Sequence, residues 1–197
     1  MAIDAYMYFY DYNQKYLQSE SQVDGEKDAG PFWGQYKFAD AQSNSGIFEV
    51  EDFSFDIEQV LSIGSQSTGA GAGKVTFNPF SITRKIDKAS PEFFARSCSG
   101  TSFQNVVLGA RKSTGGETSG SIYLVFSFKL VAVKTMSWSY DDEAPKETVT
   151  FEYGGLFISY QQQDQNGKLG SLPKVEKGWN RVQNTVDTAW DTKIVQK

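Results

Sequence analysis

Residues 3–12 alternate strictly, with Ile3, Ala5, Met7 and Phe9 on one side and Tyr6, Tyr8, Tyr10 and Tyr12 on the other. A period of two places successive side chains on opposite faces of a pleated strand, so the chain opens with a predicted strand that has two usable faces. A tyrosine row fits a contact surface and a covered sheet face equally well. Residues 47–58 predict a second strand, with Phe53, Phe55 and Ile57 on one face and Asp52, Ser54, Asp56 and Glu58 on a wet, acidic one. Phe48 and Val50 have the opposite parity, which predicts a bulge near Glu51. A third strand shows the same inversion: Val75 and Phe77 are odd, Phe80 and Ile82 are even, and Asn78-Pro79 sits at the change. Proline cannot donate to a central ladder, so a bulge or an edge is expected there.

The convincing helix follows. Ser90 reads as the N-cap, Pro91 as the first helical residue, Glu92 as a charge at the positive end of the dipole, and Gly100 as the stop. Phe93, Phe94 and the pair Ser97-Cys98 are expected to face a core. Residues 103–112 predict a strand. Ile122, Leu124, Phe126, Phe128, Leu130 and Ala132 alternate without a break, and Val149, Phe151 and Tyr153 begin another strand. After Gly154-Gly155 the parity shifts to Leu156, Ile158 and Tyr160, a third predicted bulge. Residues 13–46 are polar and turn-rich around Phe32-Trp33, Tyr36 and Phe38, and read as a long excursion holding one short hairpin. The chain after Gln163 reads as a polar tail. About seven strands, three bulges and one helix favour a barrel or a curled sandwich, because bulges supply the curvature that closes a sheet.

Composition agrees. The 197 residues suffice for one domain with a real core, and 15 Phe, 10 Tyr, 4 Trp and 18 Gly lean toward strands and turns. A net charge of −5 leaves no basic footprint for nucleic acid or an anionic membrane. No apolar run approaches the roughly 20 residues of a membrane-spanning helix. The N-terminus lacks the basic start and apolar stretch of a secretory signal. Cys98 is the one cysteine, which forbids an internal disulfide, and the chain has no histidine. That absence removes the usual general base, triad member and metal ligand together, leaving carboxylates as the remaining enzymatic groups.

Four features are candidates for chemistry. Gly69-Ala-Gly-Ala-Gly-Lys74 resembles a phosphate-binding loop, but position 68 is Thr where glycine is needed, Lys74 is followed by Val75, and the next segment alternates like a strand. It reads as a contact-making connection. Asp52, Asp56 and Glu58 would offer paired acids, against the plainer reading of a solvated strand face. Asp141-Asp142-Glu143 lacks the spacing of a calcium loop, and Cys98, near a helix C-terminus with no histidine to activate it, reads as a packed core thiol. No cofactor and no metal are expected.

The motifs Gly71-Ala-Gly-Lys-Val75, the run Ser81-Ile-Thr-Arg-Lys-Ile-Asp-Lys-Ala-Ser-Pro91, Cys98-Ser-Gly100, Arg111-Lys112 with Gly115-Gly116-Glu117, and Gly178-Trp-Asn with Asn184 occur in one order. Together with Met1-Ala-Ile-Asp4 they resemble the hemolysin-coregulated protein family, Hcp, the tube proteins of type VI secretion. The departures are the excursion at 13–46, the aromatic content and the tail 187–197. The resemblance implies an all-β fold with one short helix, a closed or nearly closed β-barrel with extended loops, spanning residues 1–197 as one domain. It implies a non-enzymatic subunit that forms six-membered rings, which stack into a tube, carry effectors in the lumen and meet a contractile sheath and a spike. Assembly would take place in the bacterial cytoplasm and release would need no signal peptide, with no nucleic-acid partner and no membrane insertion. Gly69, Ala70, Gly71, Ala72, Gly73 and Lys74 would then form the contact between stacked rings. Phe53-Ser54-Phe55 matches the family's lumen element, which makes Ser54, with Asp52 and Asp56, the lumen candidates. The competing reading is a monomeric β-barrel binding module or phage-tail-like domain that uses 13–46 to hold a partner.

Overall fold

The structure, a computed structural model, describes residues 3–22, 36, 40–41, 45–62, 71–112, 121–140, 144–162 and 174–187. Its elements are β1 (Ile3–Tyr10), β2 (Phe48–Val50), β3 (Asp52–Ser54), β4 (Ile57–Ser62), β5 (Gly71–Phe77), β6 (Phe80–Lys85), α1 (Ser90–Ser99), β7 (Phe103–Lys112), β8 (Ser121–Tyr140), β9 (Pro145–Gln161), β10 (Lys174–Asn180) and β11 (Thr185–Asp187). A nine-stranded antiparallel sheet runs β11-β10-β9-β8-β7-β1-β2, with β6 on the lower half of β9 and β3 on β6, while β4 and β5 form a sheet of their own. No ladder among the described residues closes the large sheet on itself. The polar tail contributes β10 and β11, which periodicity did not reveal.

Both faces of β1 are covered. Ala5, Met7 and Phe9 enter a core with Phe48, Phe80, Phe93, Phe103, Phe128 and Phe151. Within it the Phe80 ring stacks on Phe128 and Phe151, at 4.2 and 4.7 Å between centroids with planes 16° apart. Tyr6, Tyr8 and Tyr10 pack on the opposite side with Tyr36, Ala41, Ile47, Val107 and Val125. The Tyr8 hydroxyl donates to the Tyr36 carbonyl at 2.6 Å, so the tyrosine row is a covered sheet face and described parts of the 13–46 excursion cover it. The hairpin expected there falls largely outside the described residues.

Each predicted parity change marks a real event, but none is a simple bulge. At Glu51 the chain changes partner: β2 pairs with β1 and β3 with β6, and the Glu51 N–H donates to the Thr83 carbonyl at 2.9 Å. At Asn78-Pro79 it leaves β4 for β3 and β9. At Gly154-Gly155 the register with β8 holds, and the two neighbouring strands invert with β9. Phe103, Val131 and Tyr153 face the core in one row; in the next, Val106, Phe128 and Leu156 do so, three residues away on every strand. An odd step reverses the inward face, so a crease crosses three strands along one line. The unbroken alternation expected through Leu130 therefore fails: Leu130 turns out at φ 51° and is 47% exposed. It lies over Gly154, where a Cβ would stand 3.1 Å from its side chain, which fits the absence of one.

The helix also departs from expectation. Ala89 is its N-cap, without a side-chain bond, because the Ser90 hydroxyl donates instead to Glu147 at 2.9 Å. Gly100 ends it at φ 69°, as read from sequence. Ser90 and Phe93 are buried while Phe94 and Cys98 are exposed, so Cys98 is a surface thiol and not a packed one. The buried stripe follows i, i+3 spacing from Ser90 to Phe93, and Phe94 and Cys98 fall off it.

Candidate functional site

Three surfaces stand out once the sheet is laid down. The first is an arm. Ile57, Glu58 and Gln59 pair with Phe77, Thr76 and Val75, and after a bulge Leu61 and Ser62 pair with Ala72 and Gly71. The glycine-rich run is thus strand from Gly71 onward, a correction to its reading as a loop, and Gly69 and Ala70 lie outside the described residues. Val60 is 75% exposed. Among the described residues β4 and β5 pair only with each other, and such a two-stranded ribbon is a ready template for pairing with another chain.

The second surface is the outward face of β3, β6, β9 and β8. Register aligns Asp52 with Thr83, Thr148 and Ser137, and Ser54 with Ser81, Thr150 and Thr135. The Thr83 and Thr148 hydroxyls meet at 3.3 Å. This is a wall of small hydroxyls with one acid and one serine of the sequence candidates at its margin. The third candidate, Asp56, belongs elsewhere: its carbonyl accepts the Asn78 N–H at 3.1 Å, and its carboxylate accepts the Asn78 amide at 2.6 Å. Asp56 therefore ties the corner between wall and arm. Phe53 and Phe55 turn the other way, onto Phe126. The hydroxyl wall was visible in the alternation Ser81-Ile-Thr83, Thr148-Val-Thr150 and Thr135-Met-Ser137, but only strand register puts the three in line.

Behind this wall lies a buried ionic knot. Arg84 contacts Asp87 and bonds Glu147 at 3.1 Å, while Ser90 donates to the same carboxylate. The guanidinium lies over Phe48 and Phe93, 4.7 and 5.6 Å from their centroids. Burial pushes the Glu147 carboxyl above its ordinary range, against the pull of Ser90 and Arg84 in the other direction. The knot fixes α1 to β6 and β9, and its members are enclosed, which suits it to structure.

The third surface is a cleft between the root of the arm and β9–β10, lined on its polar side by Tyr153, Trp179 and Arg181. Burial pushes the Tyr153 hydroxyl up to about 12, with Arg181 pulling the other way. Among the described residues no group of three or more His, Cys, Asp or Glu is placed to hold a metal ion. No helix of the described residues is long and apolar enough to cross a membrane.

Residues 39–160 match the family described as type VI secretion system effector, Hcp. Protein hcp1 of Pseudomonas aeruginosa is 35% identical over 113 residues, which are 56% of this chain and 68% of that one. A solved structure of a type six secretion system protein matches with a TM-score of 0.73 at 23% identity, over 94% of this chain and 100% of the other. The crystal structure of Hcp1 from Salmonella typhimurium matches with a TM-score of 0.64 at 20% identity, over 95% of this chain and 100% of that one.

Proposed function

The chain belongs to the Hcp family of type VI secretion, and from that premise we propose that it is a tube subunit: copies close into six-membered rings, the rings stack, and effectors travel in the lumen. The family match over residues 39–160 carries this reading. The fold supports it with a separate arm and a polar wall on one molecule. In this reading the large sheet is a nearly closed barrel, with the Glu51 N–H to Thr83 bond bridging the strands that no ladder joins. The hydroxyl wall, with Asp52 and Ser54 at its margin and Asp56 at its corner, lines the lumen, where its acids favour cationic cargo. The role is structural, with no catalytic step, and the partners are further copies, the sheath, the spike and effectors. Assembly takes place in the cytoplasm and release follows without a signal peptide.

Sizing and negative-stain microscopy of the purified protein should give rings. A strict monomer at high concentration would sink the proposal. The arm makes a narrower claim: replacing Gly71 and Gly73 together with tryptophan should leave rings intact and abolish stacking into tubes. Variant tubes as long as those of the parent would remove the arm from the ring-to-ring contact. The competing reading is a monomeric module that holds a partner through 13–46. Two described residues of that segment, Tyr36 and Ala41, are buried on the tyrosine face of β1 and belong to the fold itself.

A further inference from the structure

Strand β10 is fully paired on one side and only partly on the other. β9 runs along all of Lys174–Asn180, while β11 reaches only Gly178, Trp179 and Asn180. Among the described residues, 174–177 therefore present an open edge, and an open edge is a template for a further strand. The surface beside it is apolar. Val175 stands directly opposite Tyr160 of β9, the two are 61% and 44% exposed, and the Tyr123 ring is edge-on to Tyr160 at 6.2 Å. Lys177 with Ile158, then Trp179 with Leu156, continue this face toward the core.

The chain itself arrives at this edge. Asp187 is opposite Gly178 and β11 runs antiparallel to β10, so the residues that follow head toward Lys174. Extending the register sets Thr188 opposite Lys177, Ala189 opposite Glu176, Trp190 opposite Val175 and Asp191 opposite Lys174. The chemistry matches along the ladder. Trp190 falls on the apolar face, against Val175 and Tyr160, as a cross-strand aromatic on a β-branched residue. Asp191 falls opposite a lysine, and opposite charges directly across a ladder attract. Ala189 falls on the other face, where the Glu176 carboxylate already accepts the Tyr36 and Ser159 hydroxyls at 2.8 Å each and a small side chain leaves them room. The sequence carries the same period independently: Val186, Thr188 and Trp190 alternate with Asp187, Ala189 and Asp191. A slip of one residue would put Trp190 on the carboxylate face and Ala189 on the apolar one.

We propose that the open edge of β10 is a strand-docking site filled by residues 188–191 of the same chain, which extend β11 and lay Trp190 over Val175 and Tyr160. No loop has to close, because Asp187 is already in the ladder, and this favours the chain's own segment over a strand from a second copy. The docked strap shields the apolar patch and occupies the edge that would otherwise template pairing with another chain. The contact lies within one copy and holds whether or not rings form.

Amide hydrogen exchange of the unaltered full chain tests the docking. The amides of 188–191 should exchange about tenfold or more slowly than in a free peptide of residues 188–197, and ending the chain after Asp187 should speed exchange within 175–177. Cysteine pairs test the register and the occupant. In a C98S background and under mild oxidation, K174C/D191C should form a disulfide within one chain, and K174C/T192C should form far less, since only directly opposed side chains come close enough to bridge. Both pairs keep Trp190 and Val175 in place. Free-peptide exchange at 188–191 in the unaltered chain overturns the proposal, as do equal or reversed yields from the two pairs. A bridge formed mainly between chains overturns it as well, by giving the edge to a second copy.

Discussion

Replacing Arg84 with alanine should lower the unfolding free energy by about 3–5 kcal/mol, because it strands a buried carboxylate. Arg84 is 3% exposed and Glu147 fully buried, and their bond is supported by Ser90 from the helix and by Asp87 from the turn before it. Removing the cation also removes its contacts with Phe48 and Phe93. The pH dependence has a definite sign. Glu147 already sits above its ordinary value through burial, and Arg84 pulls it down, so the variant raises it further. A carboxyl whose folded value exceeds its unfolded value binds more protons in the native state, and stability then falls as pH rises through that window. Urea unfolding at pH 5 and pH 8 should show the larger deficit at pH 8. The double variant R84M/E147L should recover much of the loss, since an apolar pair of similar volume strands no charge. A loss below about 1 kcal/mol in R84A would mean that the pair is held in water and not in the core.

Phe80→Ala should cost about 3–5 kcal/mol, the range for deleting a buried phenylalanine. Phe80 is 1% exposed and its ring is sandwiched between Phe128 and Phe151, so truncation opens a cavity that neither flat neighbour can fill. For a chain of this size that corresponds to a drop of roughly 6–20 °C in the unfolding midpoint. Phe94→Ala is the matched control: this ring is 54% exposed on the outer side of α1, and its loss should stay within about 0.5 kcal/mol. Calorimetry of the two variants reads both effects. Equal losses would contradict the placement of the helix.

The strands that alternate between core and solvent were legible from periodicity, and so was every place where that alternation inverts beside glycine or proline. Glu51, Asn78-Pro79 and Gly154-Gly155 each carry a local cue, either opposed apolar pairs or a residue that cannot sit in a regular ladder. The inversions at Gln104-Asn105 and Lys129-Leu130 carry none. Leu130 is apolar and keeps the sequence pattern intact while its side chain points outward. β10 and β11 were missed for a related reason: Lys174–Asn180 is nowhere fully buried, so burial never imposed a period on it. That Asp52 and Ser54 lie on one face was readable because they share a strand. Their hydroxyl neighbours come from three further strands, and strand register is a property of tertiary pairing. Cys98 was misplaced because a short helix with one buried turn offers too few positions to fix its phase.

The order of the sheet also sets a schedule. β1 finds its full-length partner only in β7, where Ile3 pairs with Lys112 and Tyr10 with Asn105. During synthesis at roughly 5–20 residues per second, the aromatic opening strand leaves the ribosome roughly 5–20 s before that partner exists. Three residues of β2 are its other neighbour, too short a ladder to shelter it. The nascent chain therefore exposes an aggregation-prone segment while the stretch between β1 and β7 is made, and yield in the cell should respond to chaperone supply and translation rate more than to the stability of the finished fold.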